Sequence, residues 1–267
     1  MDELKELVAL VQRNKFKRID IMGHPGNHRA SLVQELYDGL ASGKFEDEAS
    51  AAEHFYADSE NKNGYFGRLK KRLQSRLINS LFFIDVSGPN TTEYSKAYYA
   101  CYKNYAAIKF LLGRGGRKMS LKLINETLDK AIKFHFTDLV IVLCRELSYF
   151  WGSIQGDKVK GKYYADFVFQ YQEIDRWEWR AEYLHDQIAQ QYALTRVVPV
   201  YLKEQTIEAA IELGPMMQKI RTIKFLSLAY KVLSLRYQIT EDYSNALKIN
   251  QEGLNFFLND LGYKATP

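Results

Sequence analysis

Residues 216–259 decide the fold, and they read MMQKIRTIKFLSLAYKVLSLRYQITEDYSNALKINQEGLNFFLN. Apolar residues recur at helical spacing in this stretch and predict one helix at about 216–238 and a second at about 242–259. Helical hairpins of about 40 residues fill the whole chain after residue 93. The first helix of each hairpin begins near Tyr94, Asp138, Trp177 or Met217. Stacked hairpins of this length are typical of a solenoid, which presents an extended surface rather than a catalytic pocket.

Three further hairpins precede this last one. They pair residues 93–112 with 117–134, residues 137–154 with 158–174, and residues 176–194 with 199–213. No segment alternates between apolar and polar residues over the length of a strand. We therefore predict an all-α fold, in which an N-terminal helical module precedes an α-solenoid of about four hairpins.

The last hairpin resembles the tetratricopeptide repeat, most clearly in residues 227–260. The resemblance is carried by the spacing of five residues. Tyr237 is the large residue that ends the first helix, Tyr243-x-x-Ala246 opens the second helix, and Gly253 and Leu254 follow in it. In that family, small residues lie where the two helices of a hairpin cross closely. The resemblance implies superhelical hairpins that bind a protein or peptide, usually on the concave face lined by first helices.

Residues 1–88 form a separate module in this interpretation, and residues 93–267 form the repeats. The module begins with an amphipathic helix at 1–14, which a short strand-like run at 16–22 follows. Three more helices are predicted, the first beginning at Ser31, the second covering about 47–56 and the third about 65–84. A polar loop at 57–64 separates the last two, and the breaker residues Ser87-Gly88-Pro89-Asn90 close the module.

The net charge of +5 is unevenly distributed along the chain. Residues 1–60 hold 7 Lys/Arg and 12 Asp/Glu, which gives −5, whereas residues 61–118 hold 12 and 2, which gives +10. Residues 119–267 are balanced, with 18 of each. One basic segment thus carries the whole excess, and such an asymmetry indicates an anionic partner or an acidic surface that faces it.

The helix at 65–84 is the most basic element of that segment. Four cations, Arg68, Lys71, Arg72 and Arg76, fall opposite its apolar stripe. A helix with one apolar face and a row of cations can dock on phosphates, so this face is a candidate for nucleic-acid contact. Alternatively, it is a solvated face, or its cations meet the acidic residues of 46–60. Arg114 and Arg117, at the turn of the first hairpin, are further candidate contacts for an anionic partner.

Aromatic residues are abundant in the repeats, and most should pack between helices. Trp177 and Arg180 are the candidates for contact with a partner, because Trp, Tyr and Arg dominate the energetics of interfaces. The apolar residues at the end of the chain suggest either contact with another chain, such as a second copy through the C-terminal repeat, or further repeats beyond it. They are Leu254, Phe256, Phe257, Leu258 and Leu261.

No motif in the chain supplies a reaction. The loop at 23–31 lies where a phosphate-binding loop would, but it contains no lysine. Glu182 and His185 match half of a carboxylate-bridged di-iron motif, of which no second copy exists. Cys101 and Cys144 lie inside apolar helical stretches, where a thiol usually packs as a small hydrophobe. We predict that the protein is not an enzyme and holds neither a metal nor another cofactor.

The acidic residues Asp2, Glu3 and Glu6 argue against a signal peptide, and no apolar run is long enough for a membrane span. We therefore expect a cytoplasmic protein without membrane contact. The first functional hypothesis is a scaffold that binds a protein or peptide through the solenoid. The alternative is a nucleic-acid-binding regulator that uses the basic helix, with the repeats as a sensor or a dimerisation platform.

Overall fold

The computed structural model describes residues 1–13, 32–83, 91–194 and 198–260. Every regular element within these ranges is a helix, which confirms the predicted all-α class for the described residues. The chain divides into two compact units, Met1–Thr91 and Thr92–Pro267. The strand-like run at 16–22, the loop at 23–31 and the breaker residues at 87–90 lie outside the described residues.

The first unit contains four described helices. They are α1 (Asp2–Arg13), α2 (Leu32–Ala41), α3 (Glu48–Tyr56) and α4 (Lys62–Leu81). Helix α4 lies against the other three, and its apolar stripe forms the centre of their core. Phe66, Leu69, Leu73 and Leu77 in this stripe are all buried, as their helical spacing predicts.

Side-chain caps set the helix boundaries in this unit. The Asp47 carboxylate accepts a hydrogen bond from the Ser50 backbone N–H at 2.7 Å, and the Ser50 side chain completes a capping box at the start of α3. Asn61 caps α4 by accepting from the Gly64 N–H at 3.2 Å. The predicted start of α4 at Tyr65 is therefore three residues too late, because the polar residues after Asn61 form its first turn.

The second unit contains seven described α-helices. They are α5 (Glu93–Gly113), α6 (Arg117–Lys133), α7 (Thr137–Tyr149), α8 (Lys158–Leu194), α9 (Val200–Leu213), α10 (Ile223–Ile239) and α11 (Tyr243–Asn255). A π-helical turn, Phe150–Ile154, extends α7, and a second one, Phe256–Asp260, extends α11. Helices adjacent in the chain contact each other throughout the unit, and α8 also contacts α10.

Helix α8 corrects one part of the sequence interpretation. The predicted hairpins placed a break between a helix ending at 174 and another beginning at 176, whereas α8 runs unbroken through 37 residues. Residues 172–176 contain neither glycine nor proline, so nothing there stops a helix. An ion pair between Arg176 and Glu173, with nitrogen and oxygen 2.6 Å apart, also supports the helix at this point.

The length of α8 lets it serve two hydrophobic cores. At 1.5 Å per residue it is about 55 Å long. Its first half packs on α7 and joins the core that α5, α6 and α7 share through residues such as Val168 and Phe167. Its second half packs with α9 and α10 through Ala181 and Ile188, both almost fully buried. The second and third predicted hairpins are therefore joined by one shared helix rather than by a turn.

The last hairpin pairs α10 with α11. Helix α10 begins six residues after Met217, because a 3₁₀ turn occupies Gly214–Gln218 and Thr222 caps the helix. A Cβ atom at Gly253 would lie 3.1 Å from the Tyr230 ring, and Ala246 is buried. Gly253, one of the small residues that carry the family resemblance, thus lies where the helices cross closely, and the family relationship itself remains a prediction.

Candidate functional site

A groove with a volume of about 500 Å³ lies between the end of α7, the π-helical turn that follows it and the first three turns of α8. Its floor is made of small and apolar residues, among them Gly152, Gly161, Ala165 and Val168. Its walls carry cations and aromatic rings, namely Arg145, Tyr149, Lys158, Lys162 and Phe169. We call this groove the α7–α8 groove.

Two glycines bring the helices together beneath the groove. A Cβ atom at Gly161 would lie only 2.7 Å from the Gly152 Cα, so no larger residue fits there without a shift of the backbone. The Ser148 hydroxyl donates a hydrogen bond to the Gly161 carbonyl at 2.9 Å and ties α7 to α8. The π-helical turn supplies Gly152, and turns of this kind occur frequently at functional sites.

The groove has a positive charge that no carboxylate of the described residues neutralises. Arg145, Lys158 and Lys162 are exposed, and none of them forms an ion pair within the described parts of the chain. Two neighbouring lysines differ in this respect. Lys109 pairs with Glu146 at 2.9 Å, and Lys160 lies 3.7 Å from an Asp157 carboxylate oxygen and 4.1 Å from the centre of the Trp151 ring.

Aromatic residues continue from the groove along the outward face of α8. Residues 169, 172, 176, 179 and 183 recur at helical spacing, and all five are exposed. Three of them are Phe169, Trp179 and Tyr183, whose exposed fractions are 69%, 62% and 43%. The Trp179 and Tyr183 rings stack with centroids 5.6 Å apart. We call Phe169, Trp179 and Tyr183 the α8 aromatic stripe.

The sequence-based candidates Trp177 and Arg180 lie on α8 but make internal contacts. Trp177 packs against the second core, and its indole N–H donates to a Glu173 carboxylate oxygen at 2.9 Å. Arg180 donates two hydrogen bonds to Glu212, both at 2.8 Å, and this pairing lowers the pKa of the Glu212 carboxyl. The exposed rings adjacent to these residues belong to the α8 aromatic stripe instead.

The predicted basic face of α4 is present in the first unit. Arg68, Lys71 and Arg72 are exposed and have no ion-pair partner within the described residues, whereas Arg76 is half-buried. The Arg68 guanidinium lies 4.6 Å from the centre of the Tyr65 ring. Other cations of α4 do meet the acidic residues of 46–60, since Lys62 pairs with Glu53 and Lys70 pairs with Glu48. Helix α4 thus carries both exposed cations and cations paired with residues of 46–60, and contact of the exposed ones with nucleic acid stays a prediction.

Arg114 and Arg117 flank the turn between α5 and α6. Gly115 adopts a left-handed conformation there, with φ +81°, and Arg114 is the C-cap residue of α5. Both arginines are exposed and have no ion-pair partner in the part of the chain that the structure describes. They remain available to an anionic partner, but they do not line the α7–α8 groove.

Buried titratable groups in the second unit serve the fold. Glu178 is 3% exposed and accepts hydrogen bonds from the hydroxyl groups of Thr137 at 2.8 Å and Thr222 at 2.6 Å. Burial nevertheless raises the pKa of its carboxyl above the ordinary value. Burial also raises the pKa of the Cys144 thiol to about 11 and that of Cys101 in the same direction, so neither is a reactive thiolate at neutral pH.

The described residues contain no group of three or more His, Cys, Asp or Glu side chains placed to hold a metal ion. Among the same residues, no helix combines the length and the apolar composition that a membrane crossing requires. Comparisons of the chain with family models, curated proteins and solved structures give no match. The candidate sites are therefore interpreted from their own chemistry.

Sequence reasoning missed the α7–α8 groove. Its prediction of a hairpin turn around Gly156 was close, since Gly156 has φ +71° and lies between α7 and α8. The available signal was the pair Gly152 and Gly161, which bracket that turn on two predicted helices. Glycine inside a helix often marks a close approach between backbones, and the lysines at 158 and 162 then lie beside that approach.

Proposed function

We propose that the second unit is a non-catalytic module that binds a protein or peptide along the outward face of α8, with its hairpins arranged as in tetratricopeptide-like proteins. The observation that carries this proposal is the α8 aromatic stripe. Scattered apolar residues on a surface are ordinary, but three large rings in line on one helix are not. Aromatic side chains of this kind are the usual anchors of interfaces.

The position of the stripe agrees only in part with the expectation from the family resemblance, because α8 joins the predicted second helix that contains Phe169 to a predicted first helix. Trp179 and Tyr183 lie within residues 176–194, which the sequence assigns to the first helix of the third hairpin. First helices line the binding face in that family. The Arg180 guanidinium, which Glu212 holds in place, lies 5.8 Å from the centre of the Tyr183 ring, and Tyr183 stacks on Trp179. A rigid pair of rings loses little conformational entropy when a partner covers it.

The test is affinity capture from a host lysate with the immobilised full chain. The variant Trp179→Ser/Tyr183→Ser should lose captured partner by about tenfold, because removing anchor residues at an interface commonly costs 2 kcal/mol or more. Phe110→Ser is the matched control, since Phe110 is 76% exposed on α5. Equal capture by the wild type and the stripe variant would contradict the proposal.

A second candidate function is nucleic-acid binding by the first unit. The observation that favours it is the row of exposed cations on one face of α4, Arg68, Lys71 and Arg72, which form no ion pair within the described residues. Neutralised phosphates release counterions, so such binding should weaken steeply with salt. Anisotropy of labelled duplex DNA and RNA tests it at low salt. Arg68→Glu/Arg72→Glu should abolish binding, whereas the equally charged variant Lys219→Glu/Lys248→Glu, altered at two exposed lysines elsewhere, should not.

Two further features bear on the cellular location of the protein and on its association with a second copy. Both cysteines are free and buried, which agrees with the proposed cytoplasmic location.

Exposed apolar residues recur at helical spacing along α11 and the turn after it, namely Tyr243, Leu247, Leu254 and Leu258. This face supports the proposal that a second copy associates through the C-terminal repeat. Sedimentation of the wild type and of Leu247→Glu/Leu254→Glu tests it, and a dimer that persists in the variant would contradict it.

A further inference from the structure

We propose that the α7–α8 groove binds an acidic, extended peptide segment, with carboxylates on Arg145, Lys158 and Lys162 and an apolar side chain on the floor between Tyr149 and Phe169. This inference rests on the proposed function and names the chemical class of its ligand. The occupant is a segment of another protein. Three observations support it: the unneutralised charge, the mixed lining and the continuity with the α8 aromatic stripe.

The charge of the groove is complementary to an acidic ligand. None of the residues that line it is acidic, and its three cations have no ion-pair partner in the described ranges. Lys158 and Lys162 also lie four residues apart in the first two turns of α8, where like charges repel each other, and the one carboxylate at this end, that of Asp157, accepts a hydrogen bond from the Lys160 N–H at 3.0 Å. An anion bound beside these lysines relieves that repulsion.

The lining distinguishes a peptide from a simple anion. A phosphate or sulfate ion would satisfy the three cations but would leave Ala165, Val168 and the exposed rings of Tyr149 and Phe169 uncovered. A peptide supplies both kinds of group, because an apolar side chain can lie between carboxylates. A carboxylate also accepts charge-assisted hydrogen bonds from arginine and lysine.

The size of the groove favours an extended segment over a helix. A volume of about 500 Å³ accommodates a few side chains. An α-helix with its side chains is about 10 Å across, so it would rest on the rim rather than enter. Extended peptides bind such grooves by placing alternate side chains in pockets.

The groove opens onto the α8 aromatic stripe, because Phe169 belongs to both. From Phe169 to Tyr183 the helix rises by about 21 Å, at 1.5 Å per residue. An extended segment covers this distance with about six or seven residues, at 3.3 Å each. We therefore predict a ligand in which acidic residues flank one apolar residue. A second apolar or aromatic residue follows within about six or seven positions and contacts Trp179.

The test is fluorescence anisotropy with a labelled synthetic peptide of this design. The peptide has a Leu with two Glu before it and two Glu after it, then a short Ser-Gly spacer and a Phe. The full chain should bind it at low salt, with an affinity that falls as salt rises. Arg145→Glu/Lys162→Glu should weaken binding by at least about tenfold. Lys219→Glu/Lys248→Glu changes the net charge equally and should alter it by less than about twofold. Circular dichroism verifies that both variants are folded.

A peptide with every Glu replaced by Gln should not bind, and a single-stranded RNA of similar charge should compete poorly. The inference is overturned if the wild type does not bind the acidic peptide at low salt, if both charge variants lose it equally, or if the RNA displaces it more strongly than unlabelled peptide does. Loss of captured partner in Trp179→Ser/Tyr183→Ser is measured separately. That result decides the proposed function even if the acidic peptide fails.

Discussion

The two halves of α8 differ in how many of their cations form an ion pair with a carboxylate of the chain itself. In the first half, Lys158 and Lys162 project at the α7–α8 groove without an acidic partner in the described residues. In the second half, Arg176 lies 2.6 Å from Glu173, and Arg180 makes two hydrogen bonds of 2.8 Å with Glu212. The availability of a cation to a ligand thus depends on whether the chain itself already supplies its carboxylate.

The halves also differ in how they meet their neighbours. The first half crosses α7 with backbone against backbone at Gly152 and Gly161, and the groove lies beside this crossing. The second half packs through larger side chains, among them Ile188, and it buries one carboxylate, that of Glu178, between two threonine hydroxyls. The first half of α8 is therefore expected to depend on its glycine crossing, and the second half on its buried carboxylate and its ion pairs.

The largest expected effect is that of Gly161→Ala in the first half. The added Cβ would lie 2.7 Å from Gly152 Cα, so α7 and α8 must separate, and we expect unfolding free energy to fall by about 1–3 kcal/mol. Urea denaturation measures it. Gly113→Ala is the matched control, because a Cβ at Gly113 meets no atom within 4 Å, and a fall of equal size there would contradict the account of the crossing.

The buried carboxylate of the second half predicts a pH effect. The folded-state pKa of Glu178 is raised, so in the range just above the ordinary glutamate pKa the folded chain keeps a proton that the unfolded chain has lost. This group alone therefore makes stability fall as pH rises through that range. Glu178→Gln keeps an acceptor for Thr137 and Thr222 without the charge.

We expect the stability of Glu178→Gln relative to the wild type to increase as the pH is raised from about 4.5 through the raised pKa of Glu178. Thermal or urea unfolding at a series of pH values measures this difference, and the other titrating groups cancel in it. A difference that stays constant with pH, or that decreases as pH rises, would show that Glu178 is not protonated more readily in the folded chain.

A smaller effect compares a paired cation with an unpaired one. A double-mutant cycle of Arg180→Ala and Glu212→Ala should give a coupling energy of about 0.2–1 kcal/mol, since both side chains are partly exposed. The same cycle with Arg145→Ala and Glu212→Ala should give no coupling energy, because Glu212 pairs with Arg180. Equal coupling in the two cycles would remove the distinction between the groove cations and the cation that pairs with Glu212.

The smallest expected effect concerns repulsion in the groove. Lys158→Gln/Lys162→Gln removes two like charges four residues apart near the start of α8, so stability at low salt should rise by about 0.2–0.5 kcal/mol. The gain should shrink as salt screens the charges. Urea denaturation at two ionic strengths checks it, and a loss of stability would indicate that these lysines have partners.

The sequence predicted the helical class, most helix boundaries and the buried stripe of α4 because these follow from local periodicity and caps. Phe66, Leu69, Leu73 and Leu77 recur at helical spacing and are buried together. The continuous α8 was missed because an expected repeat length imposed a break where residues 172–176 contain no helix breaker.

The candidate site was harder to predict. Whether Arg180 is free depends on Glu212, which is 32 residues away and on another helix. Which ring of the segment Trp177-Glu178-Trp179 points outward depends on the crossing with α9 and α10, which periodicity alone does not fix. The roles predicted for Trp177 and Arg180 therefore remain to be tested against those of Trp179 and the groove cations.

One measurement tests the central claim most directly, and it compares groove cations with paired cations in a single titration of the labelled acidic peptide. Arg145→Gln/Lys162→Gln removes two cations that form no ion pair within the described residues, and Lys70→Gln/Lys224→Gln removes two that pair with Glu48 and Glu182. The first variant should weaken binding by about tenfold, and the second should change it by less than about twofold. Equal losses, or a larger loss in the second variant, would contradict the assignment of the α7–α8 groove as the acidic-peptide site.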